Sequence, residues 1–598
     1  MGKIIPYSAA VYGIILTMNF GLQCLAIALL TSAAAFAEDL GERATGYRLP
    51  KNPHRTISSH SEQGGSKRTL LKSGNSTLPK KWDSREKEWI TPVRNQGGFN
   101  TCWTFAAYAT LEAQLLKADR GEYDFSEKNM AMLHGYELDV SDGGNNDIAA
   151  AYLLRWGGAI AETNDNYETS ASALSTSPNL NPAIHVQNVV WVPARAGTSD
   201  NNTLKAAIME YGAVATSIMW DGAYEQKEAY YYPYDTEAPN HAVAVIGWDD
   251  DYEASKFKDN PQGNGAWLIK NSWGEHRGSN GYYYVSYYDS KFAMEEDGVV
   301  FIPATAEENY TTVRGYDKLG CIGQLTSDTT DTSAAIFTSA WNEEIVAVGV
   351  YSFYDSAEFD ISIYTNIAAT ANSPISCGEC ATTQSGAFTH AGYTTIRLNS
   401  PVVLGEQSNF AIVYKQKGVY PFKHALDMYE EGYSQCLHAK GNTFLHPSNS
   451  ETWIDAYDKY DACVCLKAYT RSTVPAIDGP EECDSGDKML TALAETNATL
   501  YAETGETFGA FANIVGANGR TLWSSWLAGF DPANKDDDKL IVDISVTNNV
   551  PYLSWTPNLG TDRSYRIWGS ETLAEENWKE VDDLKTTEAK FFKVTVGQ

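Results

Sequence analysis

Four residues, in the chain order Gln96, Cys102, His241 and Asn271, carry the groups that acyl transfer through sulfur requires. A thiol attacks a carbonyl as thiolate, so it needs a partner to take its proton. The developing oxyanion needs fixed N–H donors, and the base needs a third group that holds its ring in one tautomer. Cys102 heads a helical run in "NQGGFNTCWTFAA", where unpaired N–H groups and the helix dipole favour negative sulfur. Gln96, six residues earlier, can send an amide to the same point. His241 opens "HAVAVIGW", and Asn271 stands just before Trp273 in "WLIKNSWGE". Each has a plainer reading when taken alone. Cys102 could be a small buried hydrophobe, His241 a satisfied core histidine, Asn271 a turn residue and Gln96 a solvated loop side chain. Joint occurrence in this order favours catalysis.

Elements must hold these groups. A helix is predicted over 101–120, because Phe105, Tyr108, Leu111 and Leu115 recur at helical spacing, Thr101 can cap the start, and Lys117, Arg120 and Gly121 close it. Two more are predicted, over 126–136 opened by Ser126-Glu127, and over about 147–156. From 205 onward short strands dominate: "AVATSIMW", "HAVAVIGW", "GAWLIKNSW" and "GYYYVSYY" are β-branched or aromatic runs bounded by Gly or Asn. A helical half followed by a β half implies two lobes with a cleft between them.

At these residues the sequence resembles the papain-like cysteine peptidases. The match comprises Gln96, Cys102-Trp103, Asn240-His241-Ala242-Val243 and Asn271-Ser272-Trp273-Gly274, with the mature-like start Leu78-Pro79 and the "FSE" of the second helix. The resemblance implies an α+β two-lobed domain over 78–303. It assigns the nucleophile to Cys102, the imidazolium to His241, the oxyanion amide to Gln96 and the orienting amide to Asn271, with Trp273 shielding the His–Asn bond from water. It also implies that Gly143 and Gly144 of "SDGGNND" let a peptide backbone approach closely, and that Trp103, Asn240 and Trp273 line the substrate site. No metal and no cofactor is implied.

The chain departs from the family pattern in informative places. Phe99 stands where the family has a cysteine three residues before the nucleophile, and "NMAMLHGYELD" has no cysteine to pair with it. Asn100 replaces a usual glycine. Cys102 to His241 is 139 residues, within the expected ~130 to 150, whereas Asn271 lies 169 beyond Cys102. The excess sits in the insertion "DDDYEASKFKDNPQGN", whose aspartates could hold Ca²⁺ but read more simply as a solvated acidic loop. The leader, 38–77, is short and lacks an amphipathic helix, which argues against a folded inhibitory prodomain. Its "TGYRLP" could still lie extended across the domain.

The formal net charge is −31 over 598 residues, which argues against a nucleic-acid partner, since that binding neutralises phosphates with Lys and Arg. Residues 1–37 read as a signal peptide: an apolar run from Met18 ends in Ala35-Phe36-Ala37, after which cleavage is expected. No later segment offers the ~20 uninterrupted apolar residues of a membrane helix, so no span is expected after cleavage. Localisation is therefore read as secreted or cell-surface, in a bacterial setting. Nine cysteines are present; apart from Cys24 in the signal and Cys102, the other seven (Cys321, Cys377, Cys380, Cys436, Cys463, Cys465, Cys483) lie beyond 320 and permit some disulfides. Cys377 and Cys380 have Cys-x-x-Cys spacing, compatible with a local disulfide, free thiols or a zinc site.

Past 303 the pattern is strands spaced by turns, predicting an antiparallel β-sandwich over 308–472. That region resembles the lectin-like domain that follows papain-like domains in a group of bacterial secreted peptidases. A linker over 473–488 precedes a small β-rich module over 489–598, which resembles C-terminal modules of other bacterial secreted proteins. The expected function is an exported cysteine endopeptidase acting on proteins or peptides, with a carbohydrate or cell-surface ligand for the β modules. The alternatives are a cell-wall peptide amidase, or a surface binding protein whose peptidase domain is vestigial.

Overall fold

The computed structural model describes residues 44–50, 78–169, 173–176, 180–305, 310–339, 342–368, 373–435 and 439–472, with the backbone of the short strand Arg55–Ser58 and of strands within 541–597. The signal segment, the linker, most of the C-terminal module, and Cys24, Cys436 and Cys483 lie outside the described residues. Residues 1–472 and 473–598 are separate compact units.

Helix α1, Cys102–Lys117, is buried continuously from Cys102 to Ala113. A helix enclosed on every side must satisfy its own polar groups, and the hydroxyls of Thr104 and Thr110 accordingly donate to the carbonyls of Thr101 (2.8 Å) and Ala107 (2.9 Å). The predicted Thr101 cap is not made, because the Thr101 hydroxyl is engaged by Tyr167 Oη at 2.7 Å. Helix α2, Glu127–Leu133, is capped by Ser126, which accepts the Asn129 N–H. It stops earlier than predicted, since His134 Nδ1 takes the Tyr136 N–H and turns the chain. Helix α3, Asn146–Leu154, is capped by Asn145, whose Oδ1 accepts the Ile148 N–H. A fourth helix, α4, Asn202–Tyr211, occupies part of the region read as strands; Leu204, Ala207, Ile208 and Tyr211 form its buried stripe.

The β lobe contains strands β1 (Val186–Val192), β2 (Val214–Ile218), β3 (His241–Asp249), β4 (Ala266–Lys270), β5 (Tyr282–Ser286) and β6 (Gly298–Pro303). They pair antiparallel in the order β1-β6-β2-β3-β4-β5. In that register Ile218 faces His241 and Lys270 faces Ala244, so the start of β3 and the end of β4 lie at one edge of the lobe.

The lectin-like region adds β7 (Thr312–Gly315), β8 (Thr330–Thr338), β9 (Glu343–Ser352), β10 (Glu358–Thr365), β11 (Glu379–Ala387), β12 (Gly392–Leu404), β13 (Asn409–Lys417), β14 (Thr443–Pro447) and β15 (Leu466–Ser472). One antiparallel sheet runs β7-β15-β9-β12, and another runs β11-β10-β13-β8-β14 before ending in Ile454–Asp455. Ile345, Val348 and Val350 of the first and Ile361, Ile363, Phe410 and Ile412 of the second belong to one contiguous core. A third sheet, which the alternating pattern did not reveal, joins Gly323–Ser327, Phe422–Met428 and Ala462–Val464 with the leader strand Arg55–Ser58, paired parallel to Gly323–Ser327. The first sheet does not end at the domain boundary. β12 pairs with β1 through Gly392–Val190 and Tyr393–Val189, so the two regions share a thirteen-stranded sheet. Gly392, at φ +129°, permits this, because a Cβ there would stand 2.0 Å from the Val189 carbonyl oxygen.

Among the cysteines, Cys321, Cys377, Cys380 and Cys465 are free thiols, with Cys377 and Cys380 exposed. In the expected acidic loop the three consecutive aspartates are matched to lysines: Asp249 to Lys81 (3.6 Å), Asp250 to Lys205, and Asp251 to Lys80 (3.2 Å). Among the described residues no helix is long and apolar enough to cross a membrane. In the C-terminal unit, Ile541–Thr547 pairs with Val550–Thr556, and Ser564–Ser570 pairs with both Lys579–Glu580 and Phe591–Gly597.

Candidate active site

Cys102 is the first residue of α1, His241 the first of β3, and Asn271 follows the last residue of β4. The Ala242 N–H donates to Cys102 Sγ at 3.4 Å, placing the sulfur beside the histidine's own strand. His241 Nε2 lies 2.8 Å from Asn271 Oδ1, which also accepts the Ser272 N–H at 2.8 Å. That second bond fixes the oxygen end of the amide. His241 Nε2 must then carry the proton, and Nδ1 is left as a buried nitrogen with no hydrogen-bond partner among the described residues, ready to accept one. Trp273 stacks flat on the imidazole, centroids 4.5 Å apart at 14°, and Trp220 meets it edge-on at 6.1 Å. Both rings thus pack against the imidazole that makes the His–Asn bond.

Gln96 is held by its neighbours. Its Oε1 accepts the Ser272 hydroxyl at 2.6 Å, its backbone N–H donates to the Ser272 carbonyl at 2.8 Å, and its carbonyl accepts from Tyr167 Oη at 2.9 Å. Ser272 therefore orients the Gln96 amide and the Asn271 amide together. In the sequence Ser272 stands out only as part of a motif, and its place next to Asn271 was the available signal.

The Gln96 amide N–H groups point at the leader. Nε2 lies 3.1 Å from the carbonyl oxygens of both Ala44 and Thr45, and 2.8 Å from that of Phe99. Trp273 Nε1 donates to the same Ala44 carbonyl at 3.0 Å. The N–H groups of Gly46 and Tyr47 donate to the Asn240 carbonyl at 3.1 and 2.9 Å. Gly144 N–H donates to the Gly46 carbonyl and Arg48 N–H to the Gly144 carbonyl, each at 3.0 Å, forming a parallel bridge between Tyr47 and Gly144. Residues 44–48 thus lie as an extended backbone from Trp273 at one end, across Asn240, to Gly144 at the other.

The expected substrate-site residues take distinct places around that backbone. Gly143, at φ +77°, leaves room that a Cβ would fill within 2.0 Å of the Gly46 carbonyl oxygen. Gly144 presents its backbone and rests on Trp103, whose ring would lie 2.4 Å from an added Cβ. Trp103, 2% exposed, is a floor beneath the glycine. Asn240 offers its carbonyl to the segment while its side chain is tied to the Trp220 backbone by bonds of 2.7 and 3.0 Å.

With the segment in place Cys102 and His241 are both fully buried. Burial pushes the Cys102 thiol up to about 12 against the Ala242 N–H, which pulls the other way. Burial likewise brings the His241 imidazole down to about 4, opposed by Asn271. In this covered form burial therefore works against the thiolate expected at a helix start, because it disfavours the charged sulfur.

Comparisons with known proteins bear on the two regions as domains. The family model described as papain family cysteine protease matches residues 78–302, and that described as lectin like domain matches 313–470. A cathepsin L-like peptidase of Aedes aegypti is 31% identical over 222 residues, 36% of this chain and 60% of the relative. Cathepsin Q of Rattus norvegicus is 30% identical over 216 residues, covering 34% and 57%. The chain thus spans about three fifths of the length of these curated relatives. The solved cysteine protease and lectin-like domains of Cwp84, a surface layer associated protein of Clostridium difficile, superpose with a TM-score of 0.60 at 25% identity, covering 74% of this chain and 96% of that one. The clostridial protease Cwp84 after propeptide cleavage gives 0.58 at 25% identity, covering 66% and 99%. The chain carries a papain-family cysteine protease domain followed by a lectin-like domain.

Proposed function

We propose that the protein is an exported cysteine endopeptidase, held inactive in this form by its own leader. One observation carries the reading: the hydrogen-bonded series Ser272–Asn271–His241 stands beside the sulfur at the start of α1, with a peptide backbone already lying across it. When that backbone leaves and a substrate replaces it, the Cys102 thiol gives its proton to His241 Nδ1 and attacks the scissile carbonyl carbon. The Gln96 amide and the Cys102 backbone N–H stabilise the oxyanion, a charge present only after attack. His241 then returns the proton to the departing amine, the amine leaves, and the acyl group remains on sulfur. Water replaces the amine, loses a proton to His241, and releases the acid and the thiol. Asn271 keeps the imidazole in the tautomer that does this at each stage.

The bound segment pairs through its backbone from Trp273 to Gly144, which supports an extended peptide as the ligand of this groove. The surface-layer association of Cwp84 supports an extracytoplasmic site of action, and the lectin-like domain supports contact with a carbohydrate or other surface ligand, although the fold alone does not make it a sugar binder. The test compares the intact chain with chain nicked between residues 51 and 77, using an epoxysuccinyl thiol inhibitor and a denatured protein substrate. Nicked wild type is expected to be labelled at Cys102 and to cleave, and Cys102→Ala to do neither. A nicked wild type that stays unlabelled at Cys102 and inert would refute the assignment.

A further inference from the structure

The end of the groove beyond Gly144 is built by two domains. Asn145 is fully buried, and its Oδ1 is committed to the Ile148 N–H at the start of α3. Its Nδ2 has two hydrogens and two acceptors: the Tyr433 hydroxyl at 2.9 Å and the Arg48 carbonyl of the bound segment at 3.2 Å. Tyr433 comes from the lectin-like domain, 288 residues along the chain. It is fixed in turn, with its carbonyl accepting the Glu137 N–H at 3.0 Å and its ring edge-on to Tyr136 at 5.1 Å and 71°.

We infer that Tyr433 is a positioning residue of the peptide groove, orienting the Asn145 amide so that its second N–H meets a backbone carbonyl of any extended peptide running along Gly144. The inference rests on the peptidase reading of the same groove. The contact reaches Arg48 through its backbone, so the ligand it selects is defined by length and extension and not by side chain. An amide has only χ2 to rotate once its oxygen is anchored. Without the hydroxyl one buried N–H lacks a partner, and the remaining one is no longer held toward the peptide.

The test uses the nicked full chain and fluorogenic peptides that share the residues next to the leaving group and are extended one residue at a time along the groove. Tyr433→Phe keeps the ring on Tyr136 and is expected to raise KM roughly five-fold for members long enough to reach Asn145, with kcat retained and no such rise for shorter members. Asn145→Asp, which keeps the cap oxygen and loses the donor, should abolish the same length-dependent gain, and the double variant should lose no more. Gln435→Ala, which cuts the neighbouring bond to Glu137, should leave the length dependence as in wild type. Equal effects on short and long peptides, a fall in kcat, or the same result from Gln435→Ala would overturn the assignment. If the nicked chain turns over no peptide at all, the peptidase reading fails instead. The positioning role is then read from alkylation of Cys102 in the intact chain, roughly five-fold faster in Tyr433→Phe and unchanged in Gln435→Ala; equal rates in all three would refute it.

Discussion

Replacing Gly46 with alanine should release the leader from the groove. Gly46 sits at φ +108°, and a Cβ there would stand 2.4 Å from both Cα and Cβ of Asn100 and 2.5 Å from its carbonyl carbon. Two of these are backbone atoms that cannot swing aside. The φ value alone costs alanine about 1–2 kcal/mol. Moving the chain away from Asn100 stretches the Gly46 bonds to Asn240 and Gly144, each worth about 1 kcal/mol. Together these come to ~3–4 kcal/mol, or about 150- to 900-fold in the equilibrium between covered and uncovered sites. The readout is alkylation of Cys102 in the intact chain, followed at its own peptide by mass spectrometry, because the exposed thiols of Cys377 and Cys380 react in any case. Gly98→Ala is the control: nothing lies within 4 Å of a Cβ at that position. If Gly46→Ala melts like wild type yet labels Cys102 within two-fold of the wild-type rate, the segment does not gate the thiol and the covered-site reasoning is wrong.

In nicked chain, Asn271→Ala should retain turnover but lower it about 10- to 100-fold, since the imidazole loses its tautomer and orientation but not its proton chemistry; a loss as complete as that of Cys102→Ala would make Asn271 more than an orienting group. Burial lowers His424 to about 4. The unfolded chain therefore takes up a proton first as pH falls, and stability present above about 6.5 is lost toward 4. His424→Gln removes that titration, so the drop in urea stability between pH 7 and pH 5 should shrink by ~2 kcal/mol. An undiminished drop would show that His424 does not titrate as described. Lys467 and Asp317 form a buried ion pair. Lys467→Met should destabilise by ~3 kcal/mol by stranding the carboxylate, and adding Asp317→Leu should restore most of it; chemical denaturation of single and double variants decides this.

Much of the site could be read from the chain because its parts sit at element ends, which local patterns mark well. The spacing of Phe105, Tyr108, Leu111 and Leu115 places Cys102 at a helix start, and β-branched runs place His241 and Asn271 at strand ends. Local rules failed where a distant residue intervened. Thr101 does not cap α1 because Tyr167, 66 residues on, holds its hydroxyl. The stripe Leu204, Ala207, Ile208 and Tyr211 was available in the sequence, but the surrounding strand-like runs masked α4. Segment 44–50 has a polar composition that resembles a loose leader, since what holds it is backbone bonding to Gly144 and Asn240, to which composition is blind. Tyr433 reaching Asn145 across 288 residues leaves no local trace.

The seam between β1 and β12 bears on how the protease domain could exist by itself. Severing the chain after β6 would strip β1 of its Gly392–Tyr393 partner and uncover Trp191, which stacks on Tyr351 at 5.7 Å and leans on Phe353 at 5.4 Å. A bare strand edge beside a solvent-facing tryptophan is a template for self-association. The lectin-like domain is thus the stopper on that edge, whatever it binds elsewhere. The smallest piece with this edge closed runs past residue 303 to the end of the sandwich at residue 472.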